Sequence, residues 1–130
     1  MASVLIIDDE PIIAKVLEEL LTEEGFQVVS VNNGDAGLEL IRQGFIPGII
    51  LVDLFLPGIG GREFVEILRF QMGFHDIPVV LLTGSRPGSF GPSLANTFQA
   101  IIFKPFDITE VIQVIHQLIK EYPSMENSLC

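Results

Sequence analysis

Short apolar runs alternate with amphipathic segments along this chain of 130 residues. The runs occupy residues 4–7, 28–31, 49–52, 79–82 and 100–103. None of them shows the alternation of polar and apolar residues that marks a strand with one wet face, so each is typical of a strand covered on both sides. The runs therefore predict a five-stranded parallel sheet flanked by helices.

Four segments repeat apolar residues at steps of three and four positions, as amphipathic helices do. They are residues 12–21, 36–42, 62–71 and 108–120. The first segment places these apolar residues on one side: Ile12, Ile13, Val16, Leu17, Leu20 and Leu21. Strands that alternate with helices predict right-handed crossovers and a doubly wound α/β sheet, whose ligand site lies at the carboxyl ends of the strands.

Two stretches do not fit this alternation. Residues 84–98 are rich in Gly and Pro, which predicts a short or irregular helix between the last two strands. Residues 123–130 have the character of a flexible tail. We therefore expect one domain over residues 1–122, followed by that tail.

The composition narrows the classes of function. The chain is 48% hydrophobic and has 7 Lys and Arg against 17 Asp and Glu, a formal net charge of −10. This charge opposes direct binding to nucleic acid or to anionic membranes. No apolar run approaches the roughly 18 residues of a membrane span, and no secretory signal pattern is present. The single Cys130 fits a reducing, cytoplasmic setting.

Three acidic residues follow or end predicted strands. Asp8 and Asp9 come directly after the first apolar run, and Asp53 comes directly after the third. Because the carboxyl ends of parallel strands meet at one edge of a sheet, these carboxylates belong to the same rim. Without Cys or His beside them they are hard oxygen ligands, which favour Mg²⁺ or Mn²⁺. The alternative is that the three acids only cap helices.

Two further polar residues fall on this rim. Thr83 follows the fourth apolar run and Lys104 follows the fifth. A hydroxyl and an ammonium beside a carboxylate cluster that holds a divalent cation form a site for a small, multiply charged anion. A phosphoryl group is the obvious candidate for that anion.

Four motifs in this order resemble the receiver domain of two-component response regulators: "LIIDDEP", "ILVDLFLPGIGG", "VVLLTG" and "IIFKPF". The resemblance runs from about residue 3 to residue 122. It implies a flavodoxin-like (βα)₅ fold with strand order 2-1-3-4-5. It also implies a signalling domain rather than a conventional enzyme, one that promotes its own phosphorylation and dephosphorylation.

By the same resemblance, Asp53 is the phosphoacceptor and receives its phosphoryl group from a sensor histidine kinase or a histidine phosphotransfer protein. Asp9, Asp53 and the backbone carbonyl of Phe55 would hold Mg²⁺ directly, and Asp8 would act through metal-bound water. Thr83 and Lys104 would hold the phosphoryl oxygens. The output partner would be a separate protein or a fused output domain.

Two side chains depart from the family pattern. Ile101 stands where an aromatic switch residue is common, and Phe55 is bulkier and more apolar than usual at its position. Phe55 also argues against an enzyme of the haloacid dehalogenase type, which expects a second Asp there. The remaining alternative is a receiver-like module that signals by binding without being phosphorylated.

Overall fold

The five predicted strands are present in the computed structural model, which describes residues 2–84 and 97–121. The strands are β1 (Ser3–Ile7), β2 (Gln27–Val31), β3 (Ile49–Asp53), β4 (Val79–Thr83) and β5 (Ala100–Phe103). All neighbouring strands are parallel, and their order is β2-β1-β3-β4-β5. The predicted fold class and strand order are confirmed.

Four α-helices lie between or after these strands within the described residues. They are α1 (Pro11–Glu23), α2 (Gly34–Arg42), α3 (Gly61–Glu66) and α4 (Ile108–Glu121). None of the helices in this part of the chain is long and apolar enough to cross a membrane. The expected irregular segment lies mostly, and the expected tail entirely, in residues 85–96 and 122–130, outside the described part.

Helices cover both faces of the sheet. Val4 and Ile6 of β1 face a core that also contains buried residues of α1 and α4, whereas Leu5 and Ile7 face a core that contains residues of α2 and α3. Side chains of a strand alternate between its faces, so one apolar run supplies both cores. Burial of each such aliphatic side chain stabilises the folded state by about 1.5–3 kcal/mol relative to leaving it exposed.

The buried face of α1 is narrower than its sequence pattern predicts. Leu17 and Leu21 are buried, but Ile12 is 80% exposed and Val16 is also exposed. The expectation that Ile12 and Val16 share the inward face is therefore wrong. The sheet covers only one stripe of a helix, and these two residues, four positions apart, lie on a neighbouring stripe that faces solvent.

Helix α3 continues into a π-helical turn over Ile67–Gln71, where the Met72 N–H donates to the Ile67 carbonyl at 2.9 Å. The sequence predicts one regular helix over residues 62–71. Arg69 lies in this turn, buried. Its guanidinium donates to the Thr97 and Phe74 carbonyls at 3.0 and 2.9 Å and to the Gln99 amide oxygen at 3.1 Å. Arg69 thus connects the end of this helix to the chain entering β5.

Candidate functional site

The carboxyl ends of β1, β3 and β5 bring the candidate polar residues to one edge of the sheet. Asp8 follows β1, and its N–H donates to the Val31 carbonyl at 3.2 Å. Asp53 is the last residue of β3. Lys104 follows β5, and its N–H donates to the Thr83 carbonyl at 2.8 Å. Backbone hydrogen bonds between neighbouring strands therefore fix the positions of the Asp8 and Lys104 main chain at this edge.

Lys104 lies at the centre of this edge, against three carboxylates. Its ammonium Nζ is 2.8 Å from Asp53 Oδ2, 2.7 Å from Glu10 Oε1 and 3.0 Å from Asp8 Oδ2. The contacts to Asp53 and Glu10 are hydrogen bonds. The Lys104 side chain is 13% exposed. An ammonium this well shielded from water interacts strongly with the acids around it.

The contact between Lys104 and Asp8 is an ion pair with poor hydrogen-bond geometry. Asp8 Oδ1 accepts a hydrogen bond from the Glu10 N–H at 2.9 Å. Asp8 Oδ2 is buried and has no hydrogen-bond partner among the described residues, although the ammonium lies 3.0 Å away. A buried carboxylate oxygen without a hydrogen bond is costly, so this oxygen is available to a further ligand.

Burial raises the pKa of the Asp8 carboxyl above its ordinary value. The hydrogen bond from the Glu10 N–H and the nearby ammonium of Lys104 act in the opposite direction but do not cancel the effect of burial on this pKa. Asp8 is therefore an acid whose charged form the protein alone does not fully compensate.

For Lys104 the balance is reversed. Burial by itself disfavours the ammonium, but the hydrogen bonds to Asp53 and Glu10 and the attraction of Asp8 outweigh it and raise the pKa of Lys104. Lys104 is therefore a permanent positive charge at this edge at physiological pH.

The structure separates Asp9 from this cluster and places Glu10 in it. Asp9 is exposed and lies with Asp8 along an open groove of about 420 Å³ beside the ends of β1 and β2. The chain is extended at Glu10, with φ −91° and ψ 106°. The chain bends at Asp9, and across this bend the Glu10 N–H donates to Asp8 Oδ1 at 2.9 Å, so that Glu10 rather than Asp9 joins Asp8 and Asp53 in the cluster. The third consecutive acid of "DDE" is the signal in the sequence that could have drawn attention to Glu10.

Thr83, Phe55 and Ile101 occupy different positions around the site. Thr83 is fully buried as the last residue of β4. Phe55 is 57% exposed, and its N–H donates to Asp53 Oδ1 at 3.0 Å. Ile101 lies in β5 opposite Leu81 and packs, partly buried, on the core beneath α2 and α3. Phe55 therefore orients Asp53 through its backbone, while its ring lies largely in solvent.

The loop after Asp53 is packed closely against the start of α3. The Gly61 N–H donates to the Leu54 carbonyl at 2.9 Å. A Cβ atom at Gly61 would collide with the Asp53 carbonyl oxygen and would lie 2.8 Å from the Leu54 Cα. Glycine at this position lets the helix begin against the backbone that carries Asp53.

The acids of this edge fit a hard divalent cation. Carboxylate oxygens of Asp8, Glu10 and Asp53 lie within 4.8 Å of one another. Such oxygens are the ligands that Mg²⁺ and Mn²⁺ prefer, and the Asp8 oxygen without a hydrogen bond suits a ligand that brings positive charge. The donor set is therefore compatible with the predicted metal, with Glu10 as an acid that the sequence analysis did not assign.

Comparison with known proteins places this geometry in context. Residues 4–116 match the family model of the response regulator receiver domain. The transcriptional regulatory protein PcoR of Escherichia coli is 32% identical over 133 residues, covering 100% of this chain and 57% of PcoR. The uncharacterized transcriptional regulatory protein YcbL of Bacillus subtilis is 29% identical over 118 residues, covering 89% of this chain and 50% of YcbL. The chain spans about half the length of these curated relatives.

Solved structures give the same picture. The receiver domain of the Francisella response regulator 1452 has a TM-score of 0.83 and 26% identity, covering 93% of this chain and 98% of that domain. The response regulator TrrA from Thermotoga maritima, solved in complex with Mg²⁺-BeF, has a TM-score of 0.79 and 27% identity, covering 91% of this chain and 99% of TrrA. Both resemblances cover more than nine-tenths of this chain.

Proposed function

Because the chain belongs to the response regulator receiver domain family, we propose that it accepts a phosphoryl group on Asp53 and signals through the resulting change of conformation. The observation that supports this most directly is the contact of 2.8 Å between Asp53 Oδ2 and the Lys104 ammonium, beside the buried carboxylate of Asp8. A nucleophile, a fixed cation and a cluster able to bind a metal then share one edge of the sheet.

In the proposed reaction, a carboxylate oxygen of Asp53 forms a bond to the phosphorus of the donor. The bond from phosphorus to the donor's imidazole nitrogen breaks, and its electron pair stays on that nitrogen. Lys104 donates a hydrogen bond to a phosphoryl oxygen, and the Thr83 hydroxyl is a second donor. The Phe55 N–H, 3.0 Å from Asp53 Oδ1, holds the attacking carboxylate in place.

We assign the metal of this reaction as Mg²⁺, with Mn²⁺ as a substitute. When bound, Mg²⁺ would offset the negative charge that collects as a phosphoryl group approaches the carboxylates. Asp53 and Asp8 are suited to hold it, with the Phe55 carbonyl and Asp9 as the further ligands that the family resemblance implies. Glu10 is an additional acid within reach of that group.

The proposed phosphoryl donor is a sensor histidine kinase or a histidine phosphotransfer protein in the cytoplasm. We propose that the signal passes to a protein target or a fused output domain. The net charge of −10 opposes direct binding of nucleic acid by this domain itself. Several relatives, such as PcoR, are transcriptional regulators about twice the length of this chain.

Intact-mass spectrometry with a small-molecule phosphodonor tests the proposal. The wild type should gain the mass of one phosphoryl group in Mg²⁺ and none in excess EDTA. Asp53→Ala should gain none, whereas Asp76→Ala, which removes an exposed acid, should behave as the wild type. Circular dichroism checks that both variants are folded.

Two results would reject the assignment. One is an Asp53→Ala variant that gains the phosphoryl mass at the wild-type rate. The other is a folded wild type that gains none with Mg²⁺, which would favour the module that signals by binding alone.

A further inference from the structure

In the resting site, the carboxylate of Glu10 occupies the Lys104 ammonium that a phosphoryl group on Asp53 would also need. Glu10 Oε1 lies 2.7 Å from Lys104 Nζ, the shortest of the three carboxylate contacts to that ammonium. Any phosphoryl group on Asp53 must obtain a hydrogen bond from the same ammonium. The ammonium has three N–H donors and already faces three carboxylates, so the phosphoryl oxygen competes with these partners for a donor.

Burial decides which partner leaves. The Asp8 side chain is completely buried and is fixed by its hydrogen bond from the Glu10 N–H. Asp53 is the residue that is modified. The Glu10 side chain is 54% exposed, so its carboxylate can turn into water at little cost in solvation.

We propose that Glu10 is a positioning residue that holds Lys104 in the resting state and is exchanged for the phosphoryl group. This inference rests on the proposed function and adds a regulatory step to it. The contact orients the ammonium over the carboxylates before the reaction, and breaking it is a cost that every phosphorylation event has to meet. Glu10 therefore sets how readily the active form is reached.

The position of Glu10 supports a role outside helix capping. Glu10 is the N-cap residue of α1, but its side chain accepts no hydrogen bond from the first turn of that helix. It reaches instead across to Lys104, 94 positions away in sequence. A shorter Asp at this position is among the best capping residues. We therefore expect Glu10→Asp to keep the negative charge but turn it toward the helix and away from Lys104.

Beryllofluoride, a phosphoryl mimic, tests the exchange when its affinity is measured by calorimetry at saturating Mg²⁺. Glu10→Gln should bind it about fivefold more tightly than the wild type, because no ion pair has to break. Glu10→Asp should change the affinity in the same direction. Glu66→Gln removes a partly exposed acid of α3, paired with Arg62 at 3.9 Å, and should leave the affinity unchanged.

A double-mutant cycle shows whether Glu10 acts through Lys104. In a Lys104→Ala background, the effect of Glu10→Gln should disappear. Persistence of the effect in that background would overturn the proposal. So would wild-type affinity in Glu10→Asp beside tight binding in Glu10→Gln, since the general negative field would then be responsible. Unchanged affinity in both variants would overturn it as well.

A second measurement separates failure of this inference from failure of the proposed function. Reductive methylation followed by mass spectrometry should modify Lys104 faster in Glu10→Gln than in the wild type, with Lys15 and Lys120 as internal references. If the wild type binds no beryllofluoride, the proposed function fails and the exchange fails with it, although faster methylation would still show the resting contact. If the wild type binds beryllofluoride but Lys104 is methylated at the same rate in Glu10→Gln and the wild type, the proposed exchange is wrong while the proposed function stands.

Discussion

Among the described residues, two basic side chains, those of Arg69 and Lys104, are largely buried in the protein. Their partners are very different. Arg69 is 3% exposed, and its guanidinium donates to two backbone carbonyls and one side-chain amide, all neutral. Lys104 contacts three carboxylates instead. A buried cation can thus be accommodated either by neutral dipoles or by an excess of opposite charge.

The difference in partners indicates different roles for the regions around Arg69 and Lys104. The acceptors that the described residues offer to Arg69 are neutral oxygens, which suits a structural connection. Three ionised carboxylates against one ammonium leave a formal excess of two negative charges around Lys104. Such an excess weakens the metal-free fold and favours a divalent cation, as a site for ion binding should.

The largest expected effect on stability is at Arg69. Arg69→Met should lower the free energy of unfolding by about 3 kcal/mol, because buried carbonyl and amide oxygens lose their donor. Mg²⁺ should restore none of this loss. Urea denaturation measures it, with Arg62→Met as the matched control on the same helix, since its exposed ion pair is worth less than about 1 kcal/mol. A loss no larger than that of the control would contradict a structural role.

A smaller, metal-dependent effect is expected at Lys104. Lys104→Met should cost about 2 kcal/mol in EDTA, because partly and fully buried carboxylates lose their cation. The difference in free energy of unfolding between Lys104→Met and the wild type should become smaller as Mg²⁺ is added, since the site of the variant is more negative and binds the cation more tightly. Urea denaturation across a Mg²⁺ series measures this, with Lys15→Met as an exposed control. If the difference in free energy of unfolding between the wild type and Lys104→Met did not change with Mg²⁺, Lys104 would have a purely structural role, as Arg69 does.

The smallest effect concerns pH and Asp8. A carboxyl with a raised pKa keeps its proton in the folded protein at pH values where the unfolded chain has lost it. The metal-free fold therefore loses stability as pH rises from the ordinary pKa of 3.8 through the raised value. Asp8→Asn should remove this loss and make the metal-free protein more stable at neutral pH, while Mg²⁺ binding weakens.

Denaturation in EDTA at a series of pH values measures the effect of Asp8. Asp76→Asn, an exposed acid, should reproduce the wild-type profile. A profile for Asp8→Asn that falls as the wild type does would mean that the ionisation of Asp8 is fully compensated within the protein.

The apolar pattern alone predicts the sheet, its flanking helices and the edge that holds the candidate site. Runs without polar alternation identify the buried strands, and parallel strands necessarily end at the same edge. Asp8, Asp53, Thr83 and Lys104 follow or end those runs, so their convergence could be predicted from the order of residues. Local pattern is sufficient here because a strand covered on both faces needs apolar residues at successive positions, and each run shows that pattern within itself.

The tertiary structure decided which side chains meet across long distances in sequence. Ile12 is exposed and Arg69 buried because of what packs against each helix, which periodicity along one helix does not specify. Glu10 rather than Asp9 reaches Lys104 because the chain bends at Asp9 after β1, and the order of residues in the sequence does not specify that bend. The physical reason is the same throughout: periodicity fixes which residues share a face, whereas partners are fixed by the three-dimensional arrangement of elements far apart in the chain.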